Sequence, residues 1–420
     1  MRVTIITVGS RGDVEPCIAL GLGLKSHGHE VQLATHSGFK GVIESYGLGF
    51  SEVSRNPREW LDTEGGLNWL ESGSNIIGFY RGLKKFMAPV LESLPACLAA
   101  CLRSDSILYS TLAIAGPHAG EKLGCPSFPL LLHPTYPTGE FPALMAWSGR
   151  QRPRMYNLVT HLMVDHVMNR VTRSAVNRWR QGELRLPPVP LRGNEQRLRK
   201  RQIPHFMGYS RHVLPRPADW GEHVHVTGYW FLPMHQGWQP PPALVEFLQR
   251  GPPPVYVGFG SLTLRNPSAL TRMIVSALEM SGHRGLLLRG WGNLGEIALP
   301  KTILTIDSIP HEWLFPQVAA VVHHGGSGTT AAGLRSGVPT ITIPFFFDQS
   351  FWAKRVVALG AGPDFIPYSS LTAQKLAQAI RSATGDSAIK MAARQIASKL
   401  RAENGVENMV AVLERCLKHP

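Results

Sequence analysis

Short apolar runs recur along the chain, set apart by glycine-bearing turns and amphipathic stretches. Residues 2–8 alternate and are rich in β-branched side chains; 30–35, 106–110, 126–132, 204–209 and 224–230 repeat the pattern. Runs of this length and composition predict buried parallel strands. Between them lie stretches with helical spacing. Residues 16–28 predict a helix with Pro16 in its first turn and Gly28 at its end. Residues 113–123 predict another. In 155–180, Leu158, Leu162, Met163, Val167, Val171, Ala175 and Trp179 recur at helical intervals, which predicts a core helix whose methionines also suit an adaptable apolar cleft. A second series opens with a strand at 255–259 and continues through a helix at 267–281 and strands at 286–289, 303–306, 318–322 and 340–344. Late helices are predicted at 373–383, 387–403 and about 406–416.

Residues 233–254 separate the two series and are dense in proline and glycine, which predicts a stiff linker. The layout is α/β, with a first domain over 1–232, the linker at 233–254, a second domain over 255–403 and a last helix in 404–420. Gly21 and Gly23 fall inside the first helix and not ahead of it, so they make no dinucleotide fingerprint.

The most informative stretch is 318–355. Its first strand stops at His323-His324-Gly325-Gly326-Ser327-Gly328-Thr329-Thr330, where a helix ending at Gly337 begins; the next strand runs into Phe345-Phe346-Phe347-Asp348-Gln349. A helix N-terminus offers unpaired backbone N–H groups and roughly half a unit of positive charge, and glycines let an anion approach. Thr329 and Thr330 add hydroxyls and His324 a ring N–H. Ligands of open parallel sheets bind at the carboxyl ends of strands. The expectation is a diphosphate site, against the plainer reading of an ordinary glycine-rich turn. Gly9-Ser10-Arg11-Gly12 after the first strand and Gly260-Ser261 after the strand at 255–259 suggest facing loops across an interdomain cleft. Ser261 reads equally well as a turn serine.

Composition narrows the partners. The 420 residues carry 43 Lys+Arg against 29 Asp+Glu, a formal charge of +14. Thirteen basic and three acidic residues fall within 150–201. A solvated basic face is the first reading, and peripheral contact with a membrane through the basic N-terminal domain the second. No nucleic-acid-binding pattern accompanies the charge. The start of the chain reads as a strand running into a glycine loop, not as a signal peptide, and no run of eighteen apolar residues occurs. Five scattered cysteines without a CxxC suit a reducing cytoplasm and predict no metal site.

Residues 323–352, HHGGSGTTAAGLRSGVPTITIPFFFDQSFW, resemble the nucleotide-sugar signature of family 1 glycosyltransferases with the GT-B fold. They are most similar to the sterol glucosyltransferase branch and its bacterial antibiotic-glycosylating relatives. The resemblance implies two Rossmann-like domains with parallel sheets facing a cleft, and a last helix that crosses back to the first domain. It implies that Ser10, Arg11, Gly12, Ser261, His324, Gly326, Ser327, Gly328 and Thr329 hold the donor diphosphate, and that Asp348 and Gln349 hold sugar hydroxyls. The backbone at Ser308 and Ile309 would face the nucleobase. GSRGDVEP makes Asp13 the candidate base, where the residue taken alone reads as a helix-capping carboxylate. A positive helix end would keep Asp13 ionised. Plant members place a histidine in this first loop, a stacking tryptophan where Ser308 stands, and a ribose-gripping glutamate where Ala332 stands. UDP and TDP donors therefore both stay open. Phe347 replaces a small residue before the acid–amide pair and leaves the sugar open too.

The expected activity is inverting, metal-independent transfer of a hexose, glucose first, from a UDP-sugar to a hydroxyl on a lipophilic acceptor such as a sterol, without a cofactor. Phe79, Tyr80, His133, Phe141 and Trp147 are the candidate acceptor lining. The alternatives are a natural-product glycosyltransferase, a sugar-nucleotide epimerase of the same fold, and a silent binding protein.

Overall fold

The computed structural model describes residues 1–53, 63, 66, 76–146, 151–190, 193–260, 266–290, 292–346 and 348–418; the side chains of 76, 77, 79 and 193–196 lie outside that description. Contacts divide the chain into two compact units, 1–233 with 404–420, and 234–403.

The first unit holds β1 (Arg2–Ile6), β2 (Glu30–Thr35), β3 (Gly49–Glu52), β4 (Ser106–Ser110), β5 (Ser127–Leu131), β6 (His205–Met207) and β7 (Val224–Val226). They form one parallel sheet in the order β3-β2-β1-β4-β5-β6-β7. The order reverses beside β1, so the turn after β1 sits at a topological switch point. Helix α1 (Arg11–Ser26) follows that turn. It buries Val14, Cys17, Ile18, Leu20 and Leu24 in one cluster with Met409, Val410 and Leu413 of the C-terminal helix Gly405–Lys418. Fully burying an aliphatic side chain contributes roughly 1.5–3 kcal/mol, so this seam is a large part of what holds the last helix down. Gly23 leaves room for Val406: a Cβ there would stand 2.3 Å from its Cγ1.

Helix α1 begins five residues before Pro16, which corrects the expected start. Ser10 is its N-cap and Asp13 its N3 residue, so the capping interaction nucleates the helix upstream and the proline falls in its second turn. Helices α2 (Ile76–Glu92) and α3 (Arg154–Trp179) meet through Leu83, Met87 and Val90 on one side and Val167, Met168 and Val171 on the other. The core-helix expectation therefore holds for the second half of α3 only. In the first half Leu162 and Met163 stand in solvent.

The second unit holds β8 (Val255–Gly258), β9 (Gly285–Leu288), β10 (Ile303–Ile306), β11 (Ala320–His323) and β12 (Thr340–Thr342), all parallel, in the order β10-β9-β8-β11-β12. Its helices include α4 (Pro242–Gln249), α5 (Pro267–Ser281), α6 (Ser327–Ser336) and α7 (Gln349–Ala358). Helix α4 corrects the linker reading. Leu244 is buried against Tyr256, Leu286 and Phe315, with Trp238 and Phe247 packed around it. The prolines at 240–242 precede and open this helix, where a missing N–H breaks no bond.

Candidate active site

Strand β11 ends at His323, and the three residues after it turn the chain into α6. His323 is fully buried, and its Nδ1 accepts the Gly325 N–H at 2.9 Å. Burial pushes its pKa well below the usual histidine range, so it stays neutral and fixes the turn by that one bond. Gly325 has φ +87, and a Cβ there would stand 2.8 Å from the Gln349 carbonyl oxygen. Only glycine fits so close to the backbone of the next strand's loop. A Cβ on Gly326 would stand 2.5 Å from His324 Nε2, so that ring edge hangs over the first residues of α6. The ring also borders the Gly260 turn after β8, whose own Cβ position lies 3.3 Å from His324 Cε1.

Two strand ends thus converge on His324 and on the N-terminus of α6, where Gly326 is the N-cap and Ser327, Gly328 and Thr329 are the first three helical residues. Burial lowers the His324 pKa to about 4, against a smaller upward pull from Asp348. At neutral pH it offers a neutral N–H and not a cation. Thr330 departs from expectation: it is fully buried and turned inward, which leaves Thr329 as the available hydroxyl.

Helix α7 positions the next cluster. Phe351, Trp352, Ala353 and Val356 are buried and anchor it. Replacing such a tryptophan by alanine costs about 3–5 kcal/mol. Trp352 Nε1 donates to Asp348 Oδ2 at 3.0 Å. This ties the carboxylate to the rigid helix and leaves it half-buried. Gln349 is buried, and its Oε1 accepts the N–H groups of Phe345 at 2.8 Å and Phe346 at 3.2 Å. Its oxygen is committed to shaping the loop, so the acid–amide pair splits into one half-buried acceptor and one internal brace.

After β10, Ser308 is exposed while the Ile309 side chain is buried beside Tyr256 and Phe315. Trp313 packs edge-on against Trp238 with centroids 5.4 Å apart. The sequence reading missed Gly290, which follows β9; a Cβ there would stand 2.6 Å from the Gly260 carbonyl oxygen. A glycine directly after a strand was the available signal. All these turns share the carboxyl edge of one parallel sheet.

In the first unit, the turn after β1 is built around Asp13. The Ser10 N–H and Oγ–H both donate to its Oδ2, at 2.8 and 3.1 Å. Gly9 has φ +148, and a Cβ on it would overlap that carboxylate at 2.2 Å. Asp13 therefore caps α1, as the plainer reading holds, and stays half-buried. Gly12 is exposed beside it, and Arg11 pairs with Glu15 one turn on.

The acceptor candidates are dispersed. Phe141 is buried, and His161 Nε2–H donates to its carbonyl at 3.1 Å. Tyr80 lies under the Lys84 ammonium, 4.8 Å from its ring centre, and His133 is half-buried after β5. Ser261, Trp147 and Phe347 lie outside the described residues, as does the side chain of Phe79. No group of three or more His, Cys, Asp or Glu among the described residues could hold a metal ion.

Residues 3–142 match the glycosyltransferase family 28 N-terminal domain, and residues 293–415 match the erythromycin biosynthesis protein CIII-like C-terminal domain. The whole chain aligns at 36% identity with the sterol 3-beta-glucosyltransferase of Cryptococcus neoformans. Ninety-eight per cent of it aligns at 37% with sterol 3-beta-glucosyltransferase UGT80A2 of Arabidopsis thaliana. The chain thus carries two glycosyltransferase-type domains and has the GT-B fold. The chain spans 27% of the Cryptococcus protein and 64% of the Arabidopsis one. Its fold is that of the glycosyltransferase of kitacinnamycin (TM-score 0.71, 22% identity, 99% of both chains) and of VinC, solved with dTDP (TM-score 0.68, 20% identity, 100% of both chains). Among its described residues, no helix is long and apolar enough to cross a membrane.

Proposed function

We propose that the chain transfers a hexose, glucose first among candidates, from a UDP-sugar to the hydroxyl of a sterol-like acceptor, with inversion. The observation that carries the donor half is the convergence of His324 Nε2 with the open N-terminus of α6. The acceptor half is supported by whole-chain similarity to sterol 3-beta-glucosyltransferases of fungi and a plant. Asp13 takes the proton from the acceptor hydroxyl as that oxygen attacks the anomeric carbon. The bond from that carbon to the diphosphate breaks, and the nucleoside diphosphate leaves with the electron pair. Negative charge then builds on the diphosphate, where the N–H groups of α6, the Thr329 hydroxyl and the His324 N–H stand ready. Ser261 and Ser327 assist there, and the resemblance of the first glycine turn assigns Ser10, Arg11 and Gly12 to the same donor group. Asp348 accepts sugar hydroxyls with Gln349 bracing its loop, and the backbone at Ser308 and Ile309 faces the base.

The C-terminal match to an erythromycin biosynthesis protein supports a second reading, a polyketide-type acceptor with a TDP-sugar. Incubating the chain with UDP-glucose or TDP-glucose, each with a sterol, a macrolide aglycone or no acceptor, separates these. An α-linked donor should yield a β-linked steryl glucoside, also in excess EDTA. Transfer to hydrophilic sugars alone would overturn the lipophilic assignment, and an epimerised sugar nucleotide formed without acceptor would overturn transfer itself.

A further inference from the structure

Helix α3 is turned inside out over its first three turns. Met155, Tyr156, Val159, Leu162 and Met163 are 72, 44, 43, 53 and 61% exposed. At 3.6 residues per turn they share one face, within an arc of about 120°. On the opposite side Asn157, Thr160 and His161 are buried, with Val164 exposed beside them. Asn157 Nδ2 donates to the Gly139 carbonyl at 2.8 Å, the Ala143 N–H donates to Thr160 Oγ1 at 2.9 Å, and His161 binds the Phe141 carbonyl. These bonds lock the helix against the 139–143 loop, so rotation cannot bring the apolar face inward. A soluble helix ordinarily shows the reverse arrangement, and contiguous exposed apolar side chains mark an interaction surface.

Charge identifies the occupant. Between Gln151 and Val164 the chain carries Arg152 and Arg154 and no acid, and both arginines are exposed. Arg152 lies over the Tyr156 ring, 5.5 Å from its centre. Arg170 is exposed two turns beyond Met163; of the acids nearby, Asp165 is paired with Arg199 and Asp219 with Arg154, which leaves Arg152 and Arg170 as the cations bordering the strip. An apolar strip bordered by arginines matches the boundary of an anionic bilayer, where side chains enter the acyl region and guanidinium groups meet headgroup phosphates.

We propose that this face of α3 docks the protein on an anionic phospholipid surface. The inference stands apart from the reaction assigned above, since it rests on α3 alone. It would bring the chain to the phase in which a lipophilic acceptor resides.

The test is co-sedimentation of the full chain with vesicles of phosphatidylcholine alone, or with about one third phosphatidylglycerol. The chain should sediment with the mixed vesicles and be released by salt. The variant Met155→Glu/Leu162→Glu/Met163→Glu should lose at least about tenfold in vesicle affinity. Because its three positions are exposed, its melting temperature and nucleoside-diphosphate binding should match the wild type. A second variant, Arg152→Ala/Arg170→Ala, should lose the preference for mixed over neutral vesicles. Wild type remaining in the supernatant, or undiminished sedimentation of the glutamate variant, would overturn the proposal. So would light scattering showing that the glutamates split a dimer without changing vesicle binding, which would make a second copy the occupant.

Discussion

Asp13→Asn separates the capping seen for this carboxylate from the base role proposed for it. In the structure Asp13 Oδ2 receives two hydrogen bonds from Ser10 and sits in the first turn of α1. Asparagine keeps an oxygen for the Ser10 N–H and removes the charge. Losing a negative charge at a helix N-terminus costs about 0.3–1 kcal/mol, and losing the cap altogether about 1 kcal/mol. For a unit of this size each kcal/mol moves the melting temperature by about 2–4 °C. Asp13→Asn should therefore melt within a few degrees of wild type, and Asp13→Ala slightly lower. Removing a general base costs typically about 10²–10⁴-fold in turnover. The assay is kcat at saturating donor and acceptor, with melting curves and nucleoside-diphosphate affinity measured on the same preparations. The expected result is a collapse of kcat with folding and donor affinity preserved. If Asp13→Asn turns over within about tenfold of wild type, Asp13 is a cap and nothing more.

Gly9→Ala should damage the same step from outside, since its Cβ would lie 2.2 Å from Asp13 Oδ2 at φ +148; retention of full turnover would show that the carboxylate position does not matter. His324→Ala should weaken nucleoside-diphosphate binding about 10–100-fold by calorimetry, the effect of losing a hydrogen bond to a charged group, and unchanged affinity would remove His324 from the site. Acid should destabilise the fold before its carboxylates titrate. Burial depresses His118 to about 3, and His205 and His324 to about 4, from an ordinary 6.5. Their neutral forms belong to the fold, so their contribution is full above pH 6.5 and is lost as pH falls toward 4. Each is worth on the order of 3 kcal/mol. Glu121, held low by Arg180 and Arg197 against the upward push of burial, joins only below about pH 4.5. Surface His27, raised by Glu407 and Glu414, runs weakly the other way. Urea midpoints should therefore fall between pH 6.5 and 4.5, and a flat profile there would refute the assignment.

Much of the scaffold is written locally. Short runs rich in apolar and β-branched residues between glycine turns and helical stretches mark strands, so β2, β4 and β10 are legible to the residue. Glycine after a strand and before a helix marks a turn that only a few residue types can make, which is why the 323–330 segment reads as an anion site. What local pattern cannot encode is which face of an element meets which neighbour. Helix α3 has helical spacing throughout, yet its first half points apolar residues at solvent because a distant loop binds its polar face. The proline-rich stretch looks like a linker until Leu244 finds a core made by strands further along. Gln349 looks like a sugar ligand until the backbone of Phe345 and Phe346 takes its oxygen. The sequence by itself determined the elements, the glycine turns and the chemical types at each strand end, because those depend on residues a few positions apart. Tertiary structure alone decided which of those groups remain open to a ligand, because burial and hydrogen-bond commitment depend on partners that only folding brings near.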